Sequence, residues 1–135
     1  MATITTGRAL LSLTSVTTML GSYVADWNET HIHNPNWPPH AKFHNAQTMS
    51  TGAALGAVGL WALWGRGGAA SGSRLQLAAG AASLYWVTQL SAIVYPGTAF
   101  MDPPKKGAPQ AVLAGAALAL NGLALALEHR RLRRR

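Results

Sequence analysis

The sequence contains no cysteine. That excludes disulfides, thiolate metal ligands and a cysteine nucleophile, and leaves the compartment open. Charge is scarce as well: charged residues make up 11% of the 135 positions, against 49% hydrophobic. The four acidic residues are Asp26, Glu29, Asp102 and Glu128, and the stretches Leu75 to Phe100 and Gly107 to Leu127 carry no charge of either sign. Each helix of a soluble bundle needs a charged outer face, which these stretches cannot supply. Phenylalanine and tyrosine are also few, at two and three, so the apolar runs are built mostly from Ala, Leu and Gly.

Long uncharged runs separated by short polar connections are the pattern of a helical membrane protein, and the length fits one domain. The expected fold is an all-α integral membrane bundle of four transmembrane helices, with a His-rich loop between the first and second. The spans are read as Ala9 to Ala25, Pro38 to Trp64, Leu75 to Tyr95 and Pro109 to Glu128, followed by a basic tail at Arg130 to Arg135. Arg8 and the short run after it also resemble a secretory leader cut after Ala25, but Tyr23 at the minus-three position fits the small-residue rule poorly. Gly52 and Gly56 form a G-x-x-x-G with Gly59 beyond it, a surface suited to close helix packing or to self-association.

The net charge of +7 does not indicate nucleic acid, because five of the eleven basic residues fall in the last six positions, directly after an apolar run. Such a cluster meets anionic lipid headgroups and fixes topology, and no basic helical face with interleaved aromatics accompanies it. With both termini on one side, that side holds Arg8, Arg66, Arg74 and the terminal arginines, while the other holds Lys42, Lys105 and Lys106. The positive-inside rule then puts both termini in the cytoplasm and the His-rich loop on the non-cytoplasmic side.

Chemistry concentrates between Asp26 and Thr48, which contain His31, His33, His40 and His44 with Asp26 and Glu29 just upstream. One reading is a nitrogen/oxygen metal site for Fe, Cu, Mn or Zn built from Asp26, His31, His33, His40 and His44, with His40 and His44 one helical turn apart. The other is acid–base chemistry on a lipid-like substrate by Asp26, Glu29, His31, His40 and His44. Trp37, Gln47, Trp86, Gln89 and Asn121 are the expected substrate-binding residues, the tryptophan faces being able to stabilise positive charge. Gln89 and Asn121 serve equally well as hydrogen bonds between helices. A third reading makes the segment a rigid polar cap that satisfies helix ends. The expected partners are membrane lipids, a hydrophobic small molecule, and either a second copy or a larger membrane complex.

The stretch D-W-N-E-T-H-I-H-N-P-N-W-P-P-H-A-K-F-H-N-A-Q-T resembles the signature of an uncharacterised family of small four-helix membrane proteins, D-W-N-x-T-H-x-x-N-P-x-W-P-P-H-A-x-F-H-N-x-Q-T. His33 falls at one of its variable positions. A more remote resemblance is to the EXPERA group of sterol isomerases and sterol-binding receptors, through Asp26 closing the first helix, Pro35 to Trp37 before the second, and the basic C-terminus. That resemblance implies a helical bundle and a lipidic ligand. The isomerases' acidic residues inside the helices have no counterpart in the last three expected spans, so His31, His40, His44, Asp26 or Glu29 would substitute for them.

Overall fold

The computed structural model describes residues 3–65 and 71–134. Arg66, Arg135 and half of the expected Gly65 to Arg74 connection lie outside the described residues. Among the described residues there are four α-helices and no strand: α1 Thr6–Asp26, α2 Pro39–Trp64, α3 Gly72–Ser91 followed by a short 3-10 turn Ala92–Val94, and α4 Pro109–Arg133. Their starts follow from local chemistry. Thr5 and Ser71 cap α1 and α3 by accepting from the amides of Arg8 and Arg74, and proline occupies the first turn of α2 and α4, where its missing N–H costs nothing.

The helices run alternately up and down. Helix α1 packs against the other three and α3 against all three as well, whereas α2 and α4 lie on opposite corners without meeting. The approach of α2 to α1 depends on missing side chains: a Cβ on Gly52 would lie 2.8 Å from the Thr18 carbonyl oxygen, and one on Gly59 would lie 2.5 Å from Ser15 Oγ. The G-x-x-x-G surface is therefore occupied within the chain, facing α1.

On α1 the polarity is inverted relative to a helix of a soluble protein. On α1 the inward stripe is Leu11, Thr14, Ser15, Thr18 and Ser22, while Leu13, Val16, Leu20 and Val24 face outward, Val24 at 83% exposure. Inside, the hydroxyls and amides bond helix to helix. Trp86 Nε1 donates to Thr18 Oγ1 at 2.9 Å, Asn121 Nδ2 donates to Ser83 Oγ at 2.9 Å, and Thr14 Oγ1 donates to Asn121 Oδ1. By length and composition, two helical stretches are apolar enough to cross a membrane, Gly72–Val94 and Pro109–Arg133. Helix α1 carries Thr14, Ser15, Thr18 and Ser22 on its inward face, and α2 opens with the polar run P-H-A-K-F-H-N-A-Q-T.

The end of the bundle where α1 begins and α4 ends holds an unexpected charge cluster. Arg8, expected as a charge flanking the first span, is 1% exposed. Its guanidinium donates to the carbonyls of Thr3 and Leu63 and lies 4.0 Å from the centre of the Trp64 ring. Arg74 donates to the carbonyls of Trp61, Ala62 and Gly65. Two arginines thus satisfy the Ala62 and Leu63 carbonyls of the last turn of α2, while the Trp61 carbonyl also accepts from the Gly65 amide. Helix α4 continues past Glu128 to Arg133, so an acidic side chain does lie within the last span. Glu128 is 1% exposed, accepts from Thr5 Oγ1 and pairs with Arg131 at 2.9 Å.

Candidate functional site

At the opposite end, the connection between α1 and α2 is tied to itself before it is tied to anything else. Asn28 Oδ1 accepts from both the amide and the hydroxyl of Thr30, at 2.8 and 2.6 Å, and Asn28 Nδ2 donates to the Ala25 carbonyl at 2.6 Å. Asn34 Oδ1 accepts from the amide of Asn36 at 2.9 Å, the local turn that short amide side chains favour. The product of this folding is a fixed orientation for His31. Its Nδ1 lies 2.7 Å from Thr30 Oγ1, its ring meets the Trp37 ring edge-on at 5.2 Å, and its Nε2 lies 3.7 Å from Asp26 Oδ1.

The hydrogen-bond inventory assigns the tautomer. Thr30 spends its only proton on Asn28, so its oxygen accepts from His31 Nδ1–H. Nε2 then presents its lone pair toward Asp26 when the ring is neutral, and a proton with a facing carboxylate when it is charged. The separation of 3.7 Å suits an ion pair, or one intervening water, more than a direct hydrogen bond. Asp26 is held from the other side by Asn45, whose Nδ2 donates to Oδ2 at 2.9 Å.

This pair forms part of the wall of a cavity of about 610 Å³ among all four helices. Gly21, Ala25, Trp86, Met101 and Leu113 give it apolar surface, and Asn45, Gln89 and Gln110 give it amides. Each of those three amides has a buried carbonyl oxygen without a partner. For two of them the orientation is secured, since Asn45 Nδ2 faces a carboxylate and Gln110 Nε2 donates to the Phe100 carbonyl at 2.8 Å. Buried acceptors of this kind are expensive to leave unsatisfied, and a cavity between them is where a donor would sit. A second cleft, about 600 Å³, lies between the two connections and is lined by Glu29, Asn36, Asp102 and Lys105. His31, Met101 and Gln110 line both spaces, so His31 stands between the polar cleft and the bundle cavity.

The residues singled out in the sequence separate into distinct groups. Asp26 and His31 are together at the cavity, with Trp37 bracing the histidine. Trp86 and Gln89 line the cavity, whereas Asn121 is occupied between helices by Thr14 and Ser83. Glu29 lines the outer cleft, and His33 meets Trp27 edge-on at 5.5 Å. His40, His44 and Gln47 form their own exposed group on the first turns of α2. Among the described residues, no three His, Asp or Glu side chains are gathered closely enough to hold a metal ion, so the five-ligand arrangement expected from the sequence is not assembled. Asn45, Tyr85 and Gln110 were missed. Tyr85 and Gln89 are four apart on α3, a helical spacing that would have grouped them.

Residues 10–135 match the model of a family of unknown function, DUF6640, and the chain belongs to that family. No curated protein and no solved structure matches it.

Proposed function

Taking membership of that family as the premise, we propose that the chain is a small integral membrane protein whose four helices all cross the bilayer, and that it acts on a hydrophobic molecule bound in the cavity by exchanging protons with it through Asp26 and His31. The observation that carries this reading is the Asp26–His31 pair in the wall of a 610 Å³ space that also contains unpartnered amide oxygens. Intramembrane ionisable groups that face an internal cavity are expensive to maintain and are the usual seat of chemistry.

The inverted polarity of α1 supports four spans. Apolar side chains on the outside of α1 match a lipid solvent, and the inward hydroxyls of Thr14 and Thr18 bond to α4 and α3. The end bearing Arg8, Arg74, Arg130, Arg131, Arg133 and Arg134 is the cytoplasmic one by the positive-inside rule, which puts the cavity on the other side. A lipid-, sterol- or isoprenoid-like body fits the apolar wall, and a hydroxyl or other donor on its head would meet Asn45, Gln89 and Gln110. Imidazolium His31, paired with Asp26, gives its Nε2 proton to a double bond of the substrate, and the neutral imidazole so formed takes a proton from an adjacent carbon of the resulting cation, restoring the pair. Trp86, which lines the cavity, would stabilise the positive charge that develops between the two transfers. Such a sequence is an isomerisation, the reaction type of the remotely similar EXPERA isomerases, here with a histidine–aspartate pair. The non-enzymatic alternative, a lipid-binding or assembly subunit, uses the same cavity without turnover.

Occupancy is tested by extracting lipids from the protein purified in mild detergent and comparing wild type with Gly21→Leu. A Cβ at Gly21 meets only Trp86, at 3.9 Å, so the larger side chain extends into the cavity without displacing backbone, and leucine is the better helix former. The wild type is expected to retain a hydrophobic compound at near one per chain, and Gly21→Leu to lose most of it while staying folded. Equal retention by both would remove the cavity from the account.

A further inference from the structure

We propose that His40 and His44 form a second site, distinct from the cavity: a two-histidine clamp for one divalent transition-metal ion, Zn²⁺ or Cu²⁺, on the exposed surface at the start of α2. Neither residue lines the cavity or the outer cleft, and nothing in the proton-exchange reading uses them. They lie four positions apart on the helix, and their Nε2 atoms converge to 3.1 Å although the rings are inclined at 78°. Zinc–imidazole bonds of about 2.0–2.1 Å to nitrogens at that spacing enclose an angle of roughly 100°, between octahedral and tetrahedral values.

The surroundings favour the ligating tautomer. His44 Nδ1 lies 3.3 Å from Gln47 Oε1, an oxygen that can only accept, so the proton belongs on Nδ1 and the Nε2 lone pair is free. A metal-bound histidine commonly has its other ring nitrogen held in this way. Without a metal, the same geometry has His40 Nε2–H donating to His44 Nε2, and the ion takes the place of that hydrogen once the His40 proton is carried at Nδ1 instead. Nitrogen-only ligation suits Zn²⁺ and Cu²⁺ rather than Mg²⁺ or Ca²⁺. Since no third His, Asp or Glu joins the pair among the described residues, the remaining positions on the ion stay open to water or to a donor outside the chain.

The test is a calorimetric titration of the detergent-purified, tag-free protein with ZnCl₂, alongside His40→Ala, His44→Ala, Gln47→Leu and His31→Ala. The wild type is expected to take up one Zn²⁺ per chain. His40→Ala and His44→Ala each weaken binding by at least about tenfold, as a bidentate site becomes monodentate, and Gln47→Leu weakens it by about tenfold through loss of the tautomer bond. His31→Ala leaves it unchanged. All four positions are at or near the surface, and helical content by circular dichroism confirms that each variant is folded. No uptake by the wild type, uptake that survives both His40→Ala and His44→Ala, or uptake abolished by His31→Ala would each overturn the clamp. None of these outcomes bears on ligand retention in the cavity, so the two proposals fail separately.

Discussion

Gly56→Ala is expected to destabilise the protein by about 3 kcal/mol, at the upper end of the usual cost of overpacking. The added methyl group would press on the Ser15 carbonyl oxygen and lie 2.7 Å from the Met19 amide nitrogen. Both are backbone atoms of a helix, so neither can rotate away and α1 must shift as a body. Gly115→Ala is the matched control, because a Cβ there meets nothing within 4 Å. It should be neutral or stabilise by about 0.5–1 kcal/mol through helix propensity alone. Unfolding midpoints in detergent titrated with a denaturing surfactant separate the two. Equal behaviour of Gly56→Ala and Gly115→Ala would mean that α1 and α2 do not meet through this face. An intact fold with an altered oligomeric state would instead assign the glycines to contact between copies.

The second large effect is expected at the opposite end. Glu128→Ala should cost about 3–5 kcal/mol, the range for breaking a buried charge pair. The carboxylate accepts from Thr5 and Arg131, and its charge acts on the guanidinium of Arg8, itself 1% exposed. Its removal leaves Arg8 buried without that compensation and deprives the hydroxyl of Thr5, the cap of α1, of its acceptor. Glu128→Gln keeps the shape and an acceptor for Thr5 and should lose roughly half as much. Arg133→Ala, an exposed charge on the same helix, serves as reference and should stay within about 0.5 kcal/mol of wild type. A Glu128→Ala effect as small as that of Arg133→Ala would contradict the role given to this cluster.

Much of the architecture was legible because uncharged runs of spanning length, separated by Pro, Gly and charge, leave few alternatives to helices. The end of α4 was less so. Five arginines after an apolar run resemble a solvated tail, yet arginine is a good helix former and its charge is favoured at a helix C-terminus, so α4 continues to Arg133. The Arg8–Glu128 cluster joins residues more than a hundred positions apart and leaves no local periodicity to read. The histidine segment identified a centre of chemistry but not its division in two. That division arises because His31 sits on a turn knotted by Asn28 and Thr30, while His40 and His44 sit on a helix that points them elsewhere. Asn121 looked like Gln89 in sequence. Only the facing Thr14 and Ser83 distinguish a bond between helices from an amide at a cavity wall.

The most direct test of proton exchange at Asp26 and His31 uses no assumed substrate. The purified protein is incubated in deuterated water with a total membrane lipid extract, and the lipids are then examined by mass spectrometry for deuterium fixed at carbon. Wild type and His44→Ala should label the same compound, while His31→Gln and Asp26→Asn should reduce the labelling rate by about 100-fold or more, the scale of general acid–base catalysis. No labelled lipid with wild type, or labelling undiminished in His31→Gln, would contradict the account and leave the cavity as a binding site without chemistry.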